Sequence, residues 1–260
     1  MSKAEVRHGR LREILGDGGF MSTYELARAA GVSEVTLRRD LRLLEQMGVV
    51  VREHGGARLA AGRLEAAERF ATRELRNPDA KTAIGRRASE LVGPGEHIAF
   101  NDGTTVMQVA NALLAAGTRV TVTTNALNVA MNLSEGSDID VYVLGGLVRR
   151  ASFGTYLPAQ GALAGQRFDT AILGIESMDE NGIALDHAFD IDIARAMIDR
   201  SQRVIVVADG SKCERRGRLE LTGWEEIDVL ITDFCPDHLV GPLRRAGVEV
   251  LLTPGKDEQL

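Results

Sequence analysis

Seven short segments of this 260-residue chain, HIAFN, RVTVTTN, IDVYVLGG, DTAILGI, RVIVVAD, DVLITD and VEVLL, are rich in β-branched residues. Helix-patterned stretches separate most of them, and the alternation runs from Lys81 onward. Such an alternation predicts an α/β domain with a mostly parallel sheet. Ligands in sheets of this kind bind at the carboxyl ends of strands. Five clusters of turn-forming and polar residues fall there: Asp102-Gly103-Thr104-Thr105, Thr124-Asn125, Gly145-Gly146, Gly174-Ile175-Glu176 and Asp209-Gly210-Ser211-Lys212.

Each cluster has a chemical use. Gly103 lets the backbone approach a ligand, and Thr104 and Thr105 add hydroxyls beside the free N–H groups of a helix start, which together make an anion site. Gly145 and Gly146 offer bare backbone donors. Lys212 supplies a compact positive charge. Asp102 and Asn125 can bond sugar hydroxyls. One cluster alone reads equally well as a turn, because Gly, Asp, Asn and Ser dominate turns. Five of them, each at a strand end, point to one shared pocket.

Residues 1–80 follow another pattern. A first helix is expected from Ala4 to about Leu15, stopped by Gly18-Gly19. Ser22 and Glu25 have capping-box spacing and open a second helix through Ala30. Gly31 supplies the turn, and Ser33 caps a third helix. Two short helices joined by a tight glycine-containing turn form a helix-turn-helix. In the third helix Leu37, Leu41 and Leu44 make a buried stripe, while Arg38, Arg39 and Arg42 fall outside it. Ser33, Glu34, Thr36 and Arg38 occupy the first turns, the part of a recognition helix that reaches base edges. Arginines on a helix face are often only solvated, so the segment that follows carries weight. VVVRE, HGG and ARLA read as strand, turn and returning strand, a wing that sets Arg52, His54 and Arg58 beside a phosphate backbone.

The stretch AAGVSEVTLRRDLRLLEQMGVVVREHGGA resembles the N-terminal signature of the DeoR family of bacterial transcription regulators. The matching residues are Val32-Ser33, Thr36 to Leu41, Leu44-Glu45, Gly48, Arg52 and His54 to Ala57. This resemblance implies operator binding through the third helix, usually for repression. The order of the later clusters is also similar to that family's sensor domain, whose fold is related to ribose-5-phosphate isomerase. It implies that Gly103, Thr104, Thr105 and Lys212 bind phosphate, that Asp102, Asn125 and Glu176 face the sugar, and that Lys81 contributes a contact. Where the family commonly places glutamate and then lysine, this chain has Asp190, Asp192 and Ala194.

The expected organisation is a winged helix-turn-helix at 1–58, a connecting segment at 59–80 that is rich in Ala, Arg and Glu, and a sensor domain at 81–260. The net charge of −6 conceals an asymmetry, because residues 1–60 carry ten Lys/Arg against eight Asp/Glu and leave −8 to the remainder. A mildly basic head on an acidic body agrees with a DNA-reading module attached to a separate domain. No apolar run approaches the ~20 residues needed to span a bilayer. Cys213 and Cys235 form no CxxC pair, in keeping with a reducing cytoplasm.

The expected partners are therefore a double-stranded DNA operator, a small phosphorylated sugar and further copies of the chain, a dimer or larger, with no membrane and no cofactor. A sugar-phosphate isomerase fused to a DNA-binding head is the alternative. It needs a carboxylate base after a glycine-rich segment, and NGIALDHAFDIDIARAMIDR has no glycine cluster. Asp186, His187, Asp190 and Asp192 fit no common metal-ligand spacing, so no metal and no catalytic residue is expected.

Overall fold

The computed structural model describes residues 11, 14, 15, 20–46, 50–53, 55–59, 70–149, 152–156, 163, 165–214 and 217–254. The chain divides into two compact units, Met1–Glu68 and Arg69–Leu260.

In the first unit, strand β1 (Met21–Ser22) leads into helix α1 (Thr23–Ala30), and α2 (Glu34–Gln46) follows the turn. The capping box forms as the spacing predicts. Ser22 Oγ accepts from the Glu25 amide at 3.2 Å, and the Glu25 carboxylate accepts from the Ser22 amide at 2.9 Å. The same contacts hold the Glu25 carboxyl below its ordinary value. Gly31 closes α1 at φ 70°, a left-handed conformation that costs a residue without Cβ little. Leu37, Leu41 and Leu44 are buried with Leu26, Ala27 and Ala30 in one core, which Leu11 and Leu15 of the expected first helix also enter. The wing consists of β2 (Val50–Glu53) antiparallel to β3 (Gly56–Leu59). β1 adds a third strand along β3, a pairing that two residues in sequence do not announce.

The second unit begins with α3 (Phe70–Glu74) and α4 (Pro78–Ser89). All seven strand-like segments then form one parallel sheet: β4 (His97–Phe100), β5 (Val120–Thr124), β6 (Ile139–Val143), β9 (Phe168–Gly174), β12 (Ser201–Val207), β14 (Val229–Thr232) and β15 (Glu249–Leu252). Between them lie α5 (Thr104–Ala116), α6 (Leu127–Leu133), α7 (Ala188–Ile198) and α8 (Asp237–Ala246). The sequence pattern does not reveal the smaller strands: the hairpin β7 (Leu147–Val148) with β8 (Thr155–Tyr156), and an antiparallel sheet of β10 (Ser177–Asp179), β11 (Gly182–Leu185) and β13 (Leu219–Gly223).

Burial follows the pleat. Ile98, Phe100, Ile172, Ile205 and Val207 pack on one face with Ile84, Val106 and Leu113, whereas Ala99, Ala171, Leu173, Val204 and Val206 pack on the other with Ile193, Met197 and Leu239. Alternate residues thus feed opposite cores, as a parallel sheet covered on both faces requires. The strand order β15-β14-β12-β9-β4-β5-β6 places the topological switch point between β4 and β9. Among the described residues no helix is long and apolar enough to cross a membrane.

Candidate functional site

The switch point is built by a side chain. Asn101, at the end of β4, donates Nδ2 to the Gly174 carbonyl and accepts the Gly174 amide on Oδ1, both at 2.8 Å. This buried exchange aligns the ends of β4 and β9, and a solvent-facing cleft lies beyond them. Gly103, Thr104 and Thr105 line one wall at the start of α5, where the first amides of a helix have no intrahelical acceptor. Gly174, Ile175 and Glu176 form the second wall, and Lys212 closes it from the 3₁₀ turn Gly210–Glu214.

Three carboxylates and three cations meet in this cleft. Arg149 reaches over it from the β7–β8 hairpin, with Nη2 at 2.9 Å from Asp102 and Nη1 at 2.7 Å from Asp190. Ser152 steadies the guanidinium by accepting from Nε at 2.9 Å. Gly154 lets the hairpin lie this close, since a Cβ there would come within 2.9 Å of Asp102 Oδ2. Glu176 is held from two sides, by Arg73 on Oε1 and by Lys212 on Oε2 at 3.2 Å. Burial, and then the neighbouring Asp102 charge, push the Asp190 carboxyl up to about 7 against the opposing pull of Arg149. Burial pulls the His187 imidazole down, with the Arg149 charge adding to it.

The structure thus brings Asp102, Gly103, Thr104, Thr105, Glu176 and Lys212 together and leaves the other sequence candidates out of the cleft lining. Lys81 is 4% exposed and spends its ammonium on the carbonyls of Arg73 and Arg76, with Asp209 at 4.0 Å. Burial lowers its affinity for a proton, partly offset by Asp209. Thr124 accepts the Ala126 amide, and Asn125 braces β8 by accepting the Thr155 amide on its carbonyl. Gly145 and Gly146 are exposed between β6 and β7. The candidate binding residues read from the sequence do not include Arg73, Arg149 or Asp190, and all three line the cleft. Residues 70–80, which by composition belong to the connection, pack inside the second unit. Among the described residues no group of His, Cys, Asp or Glu is arranged to hold a metal.

In the first unit, Arg38, Arg39 and Arg42 lie on α2 outside the leucine stripe, and the Arg38 and Arg39 side chains face solvent. Ser33 caps the helix by accepting the Thr36 amide at 3.2 Å, and its hydroxyl lies 2.9 Å from that of Thr36. Glu34 pairs with Arg38 at 3.1 Å, and Arg52 of the wing lies 3.5 Å from Glu45. His54 and the side chain of Arg58 are outside the described residues.

Residues 7–62 match the DeoR-like helix-turn-helix domain, and residues 76–234 match the DeoR C-terminal sensor domain. The chain belongs to the DeoR family. It is 33% identical to a putative aga operon transcriptional repressor of Escherichia coli O157:H7, over 95% of this chain and 93% of that one. It is 33% identical to the transcriptional repressor GlcR of Bacillus subtilis, covering 97% and 99%, and 30% identical to the glycerol-3-phosphate regulon repressor of Haemophilus influenzae, covering 98% and 99%. This DeoR-family member is a DNA-binding transcriptional regulator, with the winged helix as its reading head and the α/β unit as its sensor.

Proposed function

We propose that the chain represses a carbohydrate-metabolism operon and releases or reshapes its hold on the operator when a phosphorylated sugar or related metabolite enters the cleft. The observation that carries this reading is the convergence of Arg73, Arg149 and Lys212 on the N-terminus of α5. Backbone N–H groups and cations gathered in one cleft form the chemistry of a phosphate site. The name of the Haemophilus influenzae relative, a glycerol-3-phosphate regulon repressor, agrees with it. In this reading α2 enters the major groove with Ser33, Glu34, Thr36 and Arg38 at base edges, and Arg39, Arg42, Arg52 and His54 take phosphates.

The sensor does not turn its ligand over. A DNA-reading head has no use in a plain isomerase, and Asp102 and Glu176 are each ion-paired to Arg or Lys. The head spans 1–58, the connection runs from 59 until the chain enters the unit that begins at Arg69, and the chain works in the cytoplasm as a dimer or larger assembly. Two heads on one symmetric body supply the specificity that a single recognition helix lacks.

The test is a thermal-shift titration of the full chain against phosphorylated sugars and their unphosphorylated counterparts. A ligand at 100 times its Kd stabilises the native state by about 2.7 kcal/mol. Stabilisation by the phosphorylated members alone, together with altered gel-shift affinity for the DNA upstream of the chain's own gene, is expected. Equal response to the unphosphorylated sugars would remove the phosphate assignment.

A further inference from the structure

Arg73 belongs to α3, the first described helix of the sensor unit and the part of that unit next to the segment leading from the head. Its guanidinium lines the same cleft as Gly103, Thr104, Thr105 and Lys212. One carboxylate, Glu176, occupies both Arg73 and Lys212, one oxygen to each. Nε of Arg73 is buried and has no partner among the described residues, a state that polar donors avoid unless something else satisfies them. A phosphate offers more oxygens and more charge than Glu176 to the same two cations.

The backbone of this segment is tied to the loop that carries Lys212. Lys81 binds the carbonyls of Arg73 and Arg76, Asn77 donates Nδ2 to Asp209 at 2.9 Å, and Asp209 opens the turn leading to Lys212. Asn77 itself sits at φ 46°, a conformation that Asn tolerates better than most residues. Asp209 is kept ionised because hydrogen bonds from Ser211 and Asn77 and the charge of Lys81 outweigh its burial.

We propose that Arg73 is a direct ligand of the effector's phosphate and that the phosphate takes it from Glu176, so that the position of α3 reports whether the cleft is filled. The inference rests on the reading of the cleft as a phosphate site. The two states differ in the partner of Arg73, which supplies the differential affinity that any ligand-driven shift requires. Lys81 acts as a positioning residue, holding the α3 carbonyls against the Lys212 loop.

Hydrogen exchange on the full-length chain, with and without inorganic phosphate, tests this beside calorimetric titration of phosphate. Phosphate should protect amides at 103–106 and change exchange at 70–77. Arg73→Gln should weaken phosphate binding by about tenfold or more and abolish the response at 70–77. Glu176→Gln should act in the opposite sense, tightening phosphate binding and altering exchange at 70–77 without it. Weaker binding in both variants would mean that the ion pair only anchors α3, and the proposal falls. Protection at 103–106 with 70–77 unchanged overturns the proposal and leaves the cleft reading standing. Failure of phosphate to protect 103–106 overturns both.

Discussion

The head and the sensor hold their cations in opposite ways. On α2 the Arg38 side chain keeps 60% of its surface while it pairs with Glu34. An exposed i,i+4 pair of this kind contributes only about 0.3–0.5 kcal/mol, so Arg38 can leave Glu34 at little cost. In the cleft Arg149 retains 27%, Asp190 17% and Asp102 6% of their side-chain surface. Removing one partner from such a group leaves a charge poorly solvated, so these pairs open only to a ligand that brings charge of its own. The head is built to meet a polyanion at any time. The sensor's cleft cations are already paired with carboxylates of the same cleft.

The strongest test of this contrast is on the exposed side. Replacing Arg38 and Arg39 together by Ala should cost about 1–3 kcal/mol of operator affinity for each arginine removed, with circular dichroism unchanged. Gel-shift titrations at fixed salt measure it, and unaltered affinity in the folded double variant would take α2 out of the interface. On the sensor side, Asp190 should respond to pH. Its folded carboxyl titrates near 7 and its unfolded one near 3.8, so between these values the native state keeps a proton that the unfolded chain has released. Stability from this group is therefore full below the unfolded value, falls as pH rises toward 7 by at most about 1.4 kcal/mol per unit, and levels off above. Asp190→Asn should flatten that limb in denaturant titrations, and curves of the same shape for variant and wild type would show that Asp190 is not its source.

A smaller effect is expected from the neutral scaffold under the cleft. Asn101→Ala deprives both the amide and the carbonyl of Gly174 of their buried partner, which should cost about 1–3 kcal/mol. Chemical denaturation reads it, and a loss below a few tenths would show that the strand ends align without the staple. Least costly should be Ser22→Ala in the head, where losing the capping box removes about 1 kcal/mol. Melting of the full chain should show this loss in the unfolding of the head, with the sensor transition unmoved. A shift of both transitions together would show that the two units unfold as one.

Much of this protein is legible in its residues because the relevant signals are short-range. The Ser22–Glu25 box, Gly31, the Leu37/Leu41/Leu44 stripe and the seven β-branched runs each lie within one element or one turn, and all appear where their spacing puts them. The cleft wall at Gly103-Thr104-Thr105 is readable for the same reason. Arg73, Arg149 and Asp190 are not, since an arginine beside a turn or an aspartate near a helix start is ordinary surface chemistry until something folds over it. The strand order brings Asn101 to Gly174, 73 residues away, and the β7–β8 hairpin lays Arg149 across Asp102 and Asp190. Conversely Lys81, Thr124 and, through Nδ2, Asn125 have the right chemistry for a ligand, but the fold commits these atoms to backbone groups instead. Residue type and spacing determined which groups could bind a phosphate. Which of them remain in the cleft was decided by the tertiary structure, because a buried polar group must bond to whatever the packing places beside it.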